Sequence, residues 1–344
     1  MKYIVNFISL LPTQSKLNAQ GKAREDVTRT MVSLGYKEIQ ITRIDYPSPF
    51  NKKKNIPIIS GLKEYISILF KCRNIKKGDT VFFQDFAGDH QQFMIKKCKA
   101  KGARVAALVH DVMSVRFGGD TNNDIKALNS LDYLYVHTPA MKNRLLELGV
   151  KTPMKPINLF DYYSEDEQLD VEKIAKEQNT IIFAGNLMKS EFIGPLINSE
   201  IDKRIKYRLY GFRGNRDFSK NSQIEYAGFF KPEHTATIHG GWGLVWDGDS
   251  IDTCSGELGE YLRYNLSHKI SLYLCAGIPI ILWSKSSIAE RTIKNKVGFC
   301  VDSLSDIPNK IAALSEEEYR EMITNARNIG LKLREGYYLK HAIE

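Results

Sequence analysis

The chain has 344 residues, more than one average domain, and its 43% hydrophobic and 26% charged residues describe a globular protein with two cores, not a disordered or fibrous chain. A formal net charge of +9 favours anionic partners, but the lysines are dispersed, with short runs at Lys52-Lys53-Lys54 and Lys76-Lys77, and without a basic arm or stacking-aromatic motif no nucleic-acid partner is expected. Five widely spaced cysteines (Cys72, Cys98, Cys254, Cys275, Cys300) with no C-x-x-C pair exclude a disulfide framework and a zinc site, and no apolar run reaches the ~18 residues of a membrane span.

The opening MKYIVNFISLLPTQ reads as a first strand at residues 3–8, not a signal peptide, because Asn6 breaks the apolar run and no A-x-A site follows. A cytoplasmic location is expected, with at most weak association with anionic lipid. Next come a helix near 20–34, a strand near 38–44, a helix near 58–73, a strand at 81–84, a helix from about 91 to 100 and a strand at 105–109. A strand at 133–136 and a helix at 139–148 complete this half. Such alternation implies βαβ units and a parallel sheet with ligands at the carboxyl ends of its strands.

Residues 151–156 and the acidic stretch 161–170 read as a linker plus a polar helix, which puts a domain boundary within 155–175. Strand-like segments resume at 181–184, 207–210, 224–227, 244–246, 278–282 and 299–301, and residues 316–342 read as helical. The expected division is a doubly wound domain at 1–160, a second at 161–325, and a helix at 326–344 crossing back to the first.

Residues 268–282, HKISLYLCAGIPIIL, form one helix-to-strand step: an apolar helical stripe, a stop at Gly277 where a C-terminal cap belongs, then a buried strand. The glycine-containing loop Ser255-Gly256-Glu257-Leu258-Gly259 precedes it. A helix start attracts phosphate through its free N–H groups and dipole, so Lys269 in its first turn is a candidate diphosphate contact; the alternative is an exposed lysine on an ordinary helix.

Loops after strands hold the other candidates. The connection with Gln14, Ser15, Asn18, Gln20 and Gly21 is polar but is not G-x-G-x-x-G, which disfavours a dinucleotide-dependent dehydrogenase or epimerase. Gln84-Asp85-Phe86-Ala87-Gly88 and Val109-His110-Asp111-Val112 follow strands. Asp111 is a candidate general base for an acceptor hydroxyl and His110 its competitor; while the strand continues, neighbours point to opposite sides, so only one of them faces a ligand. The alternative is that Asp111 caps the next turn and His110 is a core histidine. In the second half Gly185-Asn186-Leu187, Lys189 and Ser190, and Tyr210-Gly211-Phe212 are candidate phosphate and base contacts, or plain βα turns. Asp247-Gly248-Asp249 has the D-x-D form of a metal and diphosphate site, but it is also common turn chemistry, and no metal is assigned.

The run His239-Gly240-Gly241-Trp242-Gly243-Leu244-Val245-Trp246-Asp247, Ser267-His268-Lys269 and the segment LCAGIPII together resemble bacterial nucleotide-sugar glycosyltransferases of GT-B architecture. The look-alikes are the glucosyltransferases that extend glycans on serine-rich-repeat adhesins and the β-1,6-galactofuranosyltransferase-like family. The likeness extends to Gly78-Asp79-Thr80-Val81-Phe82-Phe83-Gln84, to His110-Asp111-Val112 and to Leu333-Arg334-Glu335-Gly336-Tyr337, nearly the whole chain. It implies two Rossmann-like doubly wound α/β domains facing a central cleft, the first (1–160) on the acceptor side and the second (161–325) binding the nucleotide sugar, with donor contacts at Gly185, Asn186, Lys189, Tyr210 and Lys269. Relatives carry Arg where this chain has Lys189, so charge neutralisation is expected there but not bidentate recognition. The stretch 249–264 resembles the galactofuranosyltransferase-like branch more.

The resemblance implies a metal-independent hexosyltransferase with no cofactor, moving glucose or N-acetylglucosamine from a UDP-sugar to a sugar hydroxyl on a protein-linked or surface glycan. Asp111 or His110 would be the base, and the protein a homo-oligomer, dimer or tetramer. The alternatives are transfer of galactofuranose and, in another class, a non-catalytic partner subunit of a glycosylation complex.

Overall fold

A computed structural model describes residues 1–9, 19–43 and 58–344. The expected connection holding Gln14, Ser15 and Asn18, the end of the second strand at Ile44, and the run Lys52-Lys53-Lys54 lie outside the described residues. The first half contributes β1 (Lys2–Ser9), β2 (Lys37–Arg43), β3 (Thr80–Phe83), β4 (Arg104–Leu108), β5 (Tyr133–Val136) and β6 (Met154–Pro156). The second contributes β7 (Thr180–Ala184), β8 (Lys206–Tyr210), β9 (Ile224–Gly228), β10 (Trp242–Val245), β11 (Ile280–Trp283) and β12 (Gly298–Val301).

Each half makes one parallel six-stranded sheet, ordered β2-β1-β3-β4-β5-β6 and β12-β11-β10-β7-β8-β9. In each, the chain moves outward from its first strand, then returns to that strand's other side. The order therefore reverses between β1 and β3 and between β7 and β10, and a crevice opens beyond the carboxyl ends at such a reversal. The inner strands of the second sheet are buried along their whole length, because helices cover both faces; that is why TIIFA, WGLV and IILW read as unbroken apolar runs.

Three readings change. The supposed linker at 151–156 contains β6, whose Leu134↔Met154 register adds an edge strand too short and too rich in Lys and Pro to show in the sequence. The stretch after it is packed rather than solvated: Leu159, Phe160 and Tyr162 are buried and join the core on one face of the first sheet to that of the second. The C-terminal helical region is two helices, Glu316–Arg334 and Tyr337–Ile343, divided at Gly336. The second of them packs on helix Ala19–Ser33 of the first half, and the Asp161 carboxylate accepts the N–H groups of Tyr338 (3.0 Å) and Leu339 (2.8 Å) at its start.

Candidate functional site

Donor-side candidates collect at the reversal of the second sheet. Gly185 leaves β7 and donates its N–H to the Tyr210 carbonyl at the end of β8 (3.0 Å). Gly211 follows at φ 123°, and a Cβ there would lie 1.8 Å from the Gly185 oxygen, so glycine is what lets the two loops touch. The Asn186 Oδ1 accepts from the N–H groups of Met188 (3.1 Å) and Lys189 (3.2 Å), closing an Asx-type turn that leaves Lys189 exposed at its end.

Helix His268–Ala276 points its start into the same place. Its cap, Ser267, makes no side-chain hydrogen bond to the first turn, and Gly277 ends the helix in the left-handed conformation. Lys269 Nζ lies 3.2 Å and 3.3 Å from the two Asp247 oxygens beyond β10 and 5.0 Å over the Phe183 ring. Its Cε passes 3.2 Å from where a Cβ on Gly185 would stand. The structure thus sets Lys269 against Gly185, next in the chain to the turn that carries Asn186 and Lys189, and adds Asp247 as the lysine's partner. Asp249, the other carboxylate of the D-x-D, accepts from the Ser255 hydroxyl. Tyr210 is placed differently: its ring is 2% exposed and packs edge-on against Phe230, and its hydroxyl accepts from the His239 N–H (3.4 Å), so only its backbone reaches the opening.

On the first sheet, β4 ends at Leu108, before the candidate base, so strand alternation no longer decides between His110 and Asp111. They diverge all the same. His110 Nε2 meets Gln84 Oε1 at 3.0 Å, and Gln84 in turn donates to Asn6 Oδ1 (2.8 Å) at the β1–β3 reversal. Asp111 pairs with Arg116 (3.0 Å), one turn on, and does not cap helix Met113–Phe117. Burial lifts the Asp111 carboxyl above its ordinary value, against the opposing pull of Arg116, Tyr261 and Arg24. Burial and the nearby Arg24 charge hold His110 well below the ordinary imidazole range, so it is neutral at pH 7.

The stretch 249–264 contains helix Gly256–Glu260 and the single turn Tyr261–Arg263, and residues 261–266 run across to the first half. Tyr261 OH accepts the Val112 N–H (3.2 Å), the Thr138 hydroxyl donates to the Tyr264 carbonyl (2.7 Å), and His137 Nδ1 accepts the Leu266 N–H (3.0 Å). That last bond leaves the neutral His137 proton on Nε2. The chain entering the helix of Lys269 is therefore anchored at the carboxyl ends of β4 and β5, beside Asp111.

Phe160 sits between the halves with His110 stacked on it (5.8 Å between centroids), His137 edge-on (4.9 Å) and His268 tilted (5.4 Å). Burial pushes His137 down to about 4 and, with the charge of Lys22, His268 down to about 3. Nothing in the spacing of residues 110, 137 and 268 announced this cluster; it exists because two sheets and a connector meet there. Among the described residues, no group of three or more His, Cys, Asp and Glu side chains is arranged to hold a metal ion.

Residues 1–159 match the N-terminal domain, and residues 181–344 the C-terminal domain, described as glucosyltransferase 3-like. The β-1,6-galactofuranosyltransferase WbbI of Escherichia coli is 30% identical over 246 residues, 70% of this chain and 70% of that protein. Glucosyltransferase 3 of Streptococcus gordonii is 26% identical over 329 residues, 93% of this chain and 92% of that protein. Among solved structures, sucrose-phosphate synthase from Thermosynechococcus elongatus superposes with a TM-score of 0.65 at 12% identity, covering 99% of this chain and 96% of its own. HepE of Anabaena, in complex with UDP, gives 0.63 at 11% identity, covering all of both chains. At such identities the structural likeness is one of fold.

Proposed function

Since the chain belongs to the glucosyltransferase 3-like family of GT-B glycosyltransferases, we propose that it moves glucose or N-acetylglucosamine from a UDP-sugar to a sugar hydroxyl of a protein-linked or surface glycan. The observation that carries the reading is Lys269: a cation at an uncapped helix start, against Gly185, at the reversal of the second sheet. A donor diphosphate entering there meets the first-turn N–H groups and exchanges places with Asp247 as the partner of Lys269, with Lys189 adding charge.

The acceptor oxygen attacks the anomeric carbon, the bond from that carbon to the UDP oxygen breaks, and the acceptor proton passes to Asp111 if the reaction inverts. The new charge on UDP is stabilised by Lys269 and Lys189. A raised carboxyl pKa suits Asp111 to this step; His110, neutral and hydrogen-bonded to Gln84, is the competing base. The reading needs no cofactor beyond the donor and no metal, since Lys269, Lys189 and the first-turn N–H groups neutralise the diphosphate. We place the protein in the cytoplasm as a dimer or tetramer.

Galactofuranose transfer is the second reading, favoured by the higher identity to WbbI and its product name. The test is calorimetric titration with UDP, with and without EDTA, then a hydrolysis panel of UDP-glucose, UDP-N-acetylglucosamine and UDP-galactofuranose. Micromolar binding that survives EDTA supports the metal-independent transferase, and the hydrolysed sugar identifies the donor. Absence of binding moves the protein to the non-catalytic partner class, and binding that EDTA abolishes removes metal independence.

A further inference from the structure

Helix Ile58–Cys72 carries two apolar stripes. One packs inward: Ile68 and Cys72 are 0% and 2% exposed, and the neighbouring Glu64 is buried with His90 as its ionic partner. On the opposite side Leu62, Ile66, Leu69 and Phe70 recur at i, i+4, i+7 and i+8 and are 60%, 57%, 47% and 55% exposed. At about 100° per residue they cover one continuous solvent-facing strip. A single exposed leucine needs no explanation, but four in a contiguous strip mark a contact surface.

Along this helix and its exit the exposed charge has one sign. From residue 62 to 78 the exposed charged side chains are Lys63, Lys71, Arg73, Lys76 and Lys77, while Glu64, the acidic residue within that span, is buried. The adjoining helix Asp89–Ala100 opens on one exposed acid, Asp89, and then adds the exposed Lys96 and Lys97. Lys97 lies 5.3 Å over the Phe93 ring, which meets Tyr65 edge-on at 4.9 Å, and Lys101 donates to the carbonyls of Cys72 (2.6 Å) and Arg73 (3.0 Å). The Arg73 guanidinium covers the Phe70 ring at 3.7 Å, an apolar side chain tipped by a cation.

We propose that this face seats the protein on an anionic phospholipid bilayer, with Leu62, Ile66, Leu69 and Phe70 in the acyl boundary and the basic rim among the headgroups. A second copy of the chain fits less well, because a two-fold contact through this strip sets one basic rim against another. A bilayer supplies both the apolar layer and the negative charge. The contact is peripheral, since no described helix is long and apolar enough to cross a membrane. It is also salt-sensitive, because the headgroup attraction is screened within about 8 Å at physiological ionic strength.

The test is co-sedimentation of the full chain with phosphatidylcholine vesicles, with and without phosphatidylglycerol. Wild type is expected to sediment with the phosphatidylglycerol vesicles and not with phosphatidylcholine alone. The L62S/I66S/F70S variant and the K63E/R73E variant are each expected to reduce the bound fraction about tenfold. Two variants of different chemistry, both at exposed positions and checked by their melting curves, separate the surface from a folding defect. No sedimentation of wild type, or sedimentation that neither variant weakens, overturns the proposal. So does light scattering that shows a dimer which the L62S/I66S/F70S variant splits, an outcome that assigns the face to a second copy. Because UDP titration in solution does not involve this helix, the outcome is independent of the donor reading.

Discussion

Lys269 and Asp247 stand 22 residues apart in the chain and meet at 3.2 Å at the mouth of the second sheet. Both side chains are partly exposed, so the pair itself contributes little stability, on the order of 1 kcal/mol or less. Its consequence is positional: the aspartate holds the ammonium against Gly185 until an anion replaces it. Lys269→Ala is therefore expected to lower kcat about 100-fold with a nearly unchanged melting temperature. Asp247→Asn should retain UDP binding. Wild-type turnover by a folded Lys269→Ala protein would remove the lysine from the donor site.

The Asp111–Arg116 pair predicts a pH effect. Arg116 lowers a carboxyl that burial raises, so Arg116→Ala should let the Asp111 pKa climb further. A base acts deprotonated, and the acidic limb of the kcat/KM profile should move to higher pH in Arg116→Ala and vanish with activity in Asp111→Asn. An unmoved limb would point to His110 as the base.

Gly211 predicts a local stability cost. Alanine there combines a positive φ with a Cβ 1.8 Å from the Gly185 oxygen, whereas alanine at Gly35, at φ 83°, meets nothing within 4 Å. Gly35→Ala should cost about 1 kcal/mol of strain and Gly211→Ala distinctly more, roughly 2–3 kcal/mol, with loss of UDP binding. Urea unfolding of the two variants side by side makes the comparison, and equal costs would mean that the two loops can separate freely.

Asp161 caps the last helix, yet burial and nearby Asp26 push its carboxyl up to about 7, with Asp26 itself at about 6. The folded protein then holds these protons more tightly than the unfolded chain, so their contribution lowers stability as pH rises from about 4 to about 7 and is constant above. The buried imidazoles act in the opposite sense below their ordinary value, so the clean readout is a difference. Asp161→Asn keeps an acceptor for the Tyr338 and Leu339 N–H groups, and its melting temperature relative to wild type should rise from pH 5 to pH 7.5. A constant difference across that range would contradict the raised pKa.

The candidate site was legible in the sequence where chemistry is local. Lys269 was visible because it follows a loop and opens an apolar helix, and Gly185, Asn186 and Lys189 because a polar turn follows a buried strand. Tyr210 was read as a donor contact with no choice between ring and backbone: a residue at a strand end looks accessible until its packing is known, and here Phe230 and the His239 N–H take its ring and hydroxyl. Asp247 was set aside as turn chemistry within a D-x-D motif, and its pairing was not visible because the lysine that neutralises it comes from another element. The edge strand β6 was read as linker, since three residues with Lys and Pro carry no periodic signal and are fixed only by pairing with β5.

The order of strands and helices apart from β6, the break at Gly277 and the apolar runs of the inner strands follow from the sequence alone, because side-chain period and backbone freedom are properties of neighbours in the chain. The tertiary structure decided what meets what: Lys269 with Asp247, Asp111 with Arg116 and Tyr261, three imidazoles around Phe160, and Asp161 beneath the final helix. Those contacts are set by burial and by the closure of long loops, whose energies belong to pairs of residues far apart in the chain and leave no pattern along it.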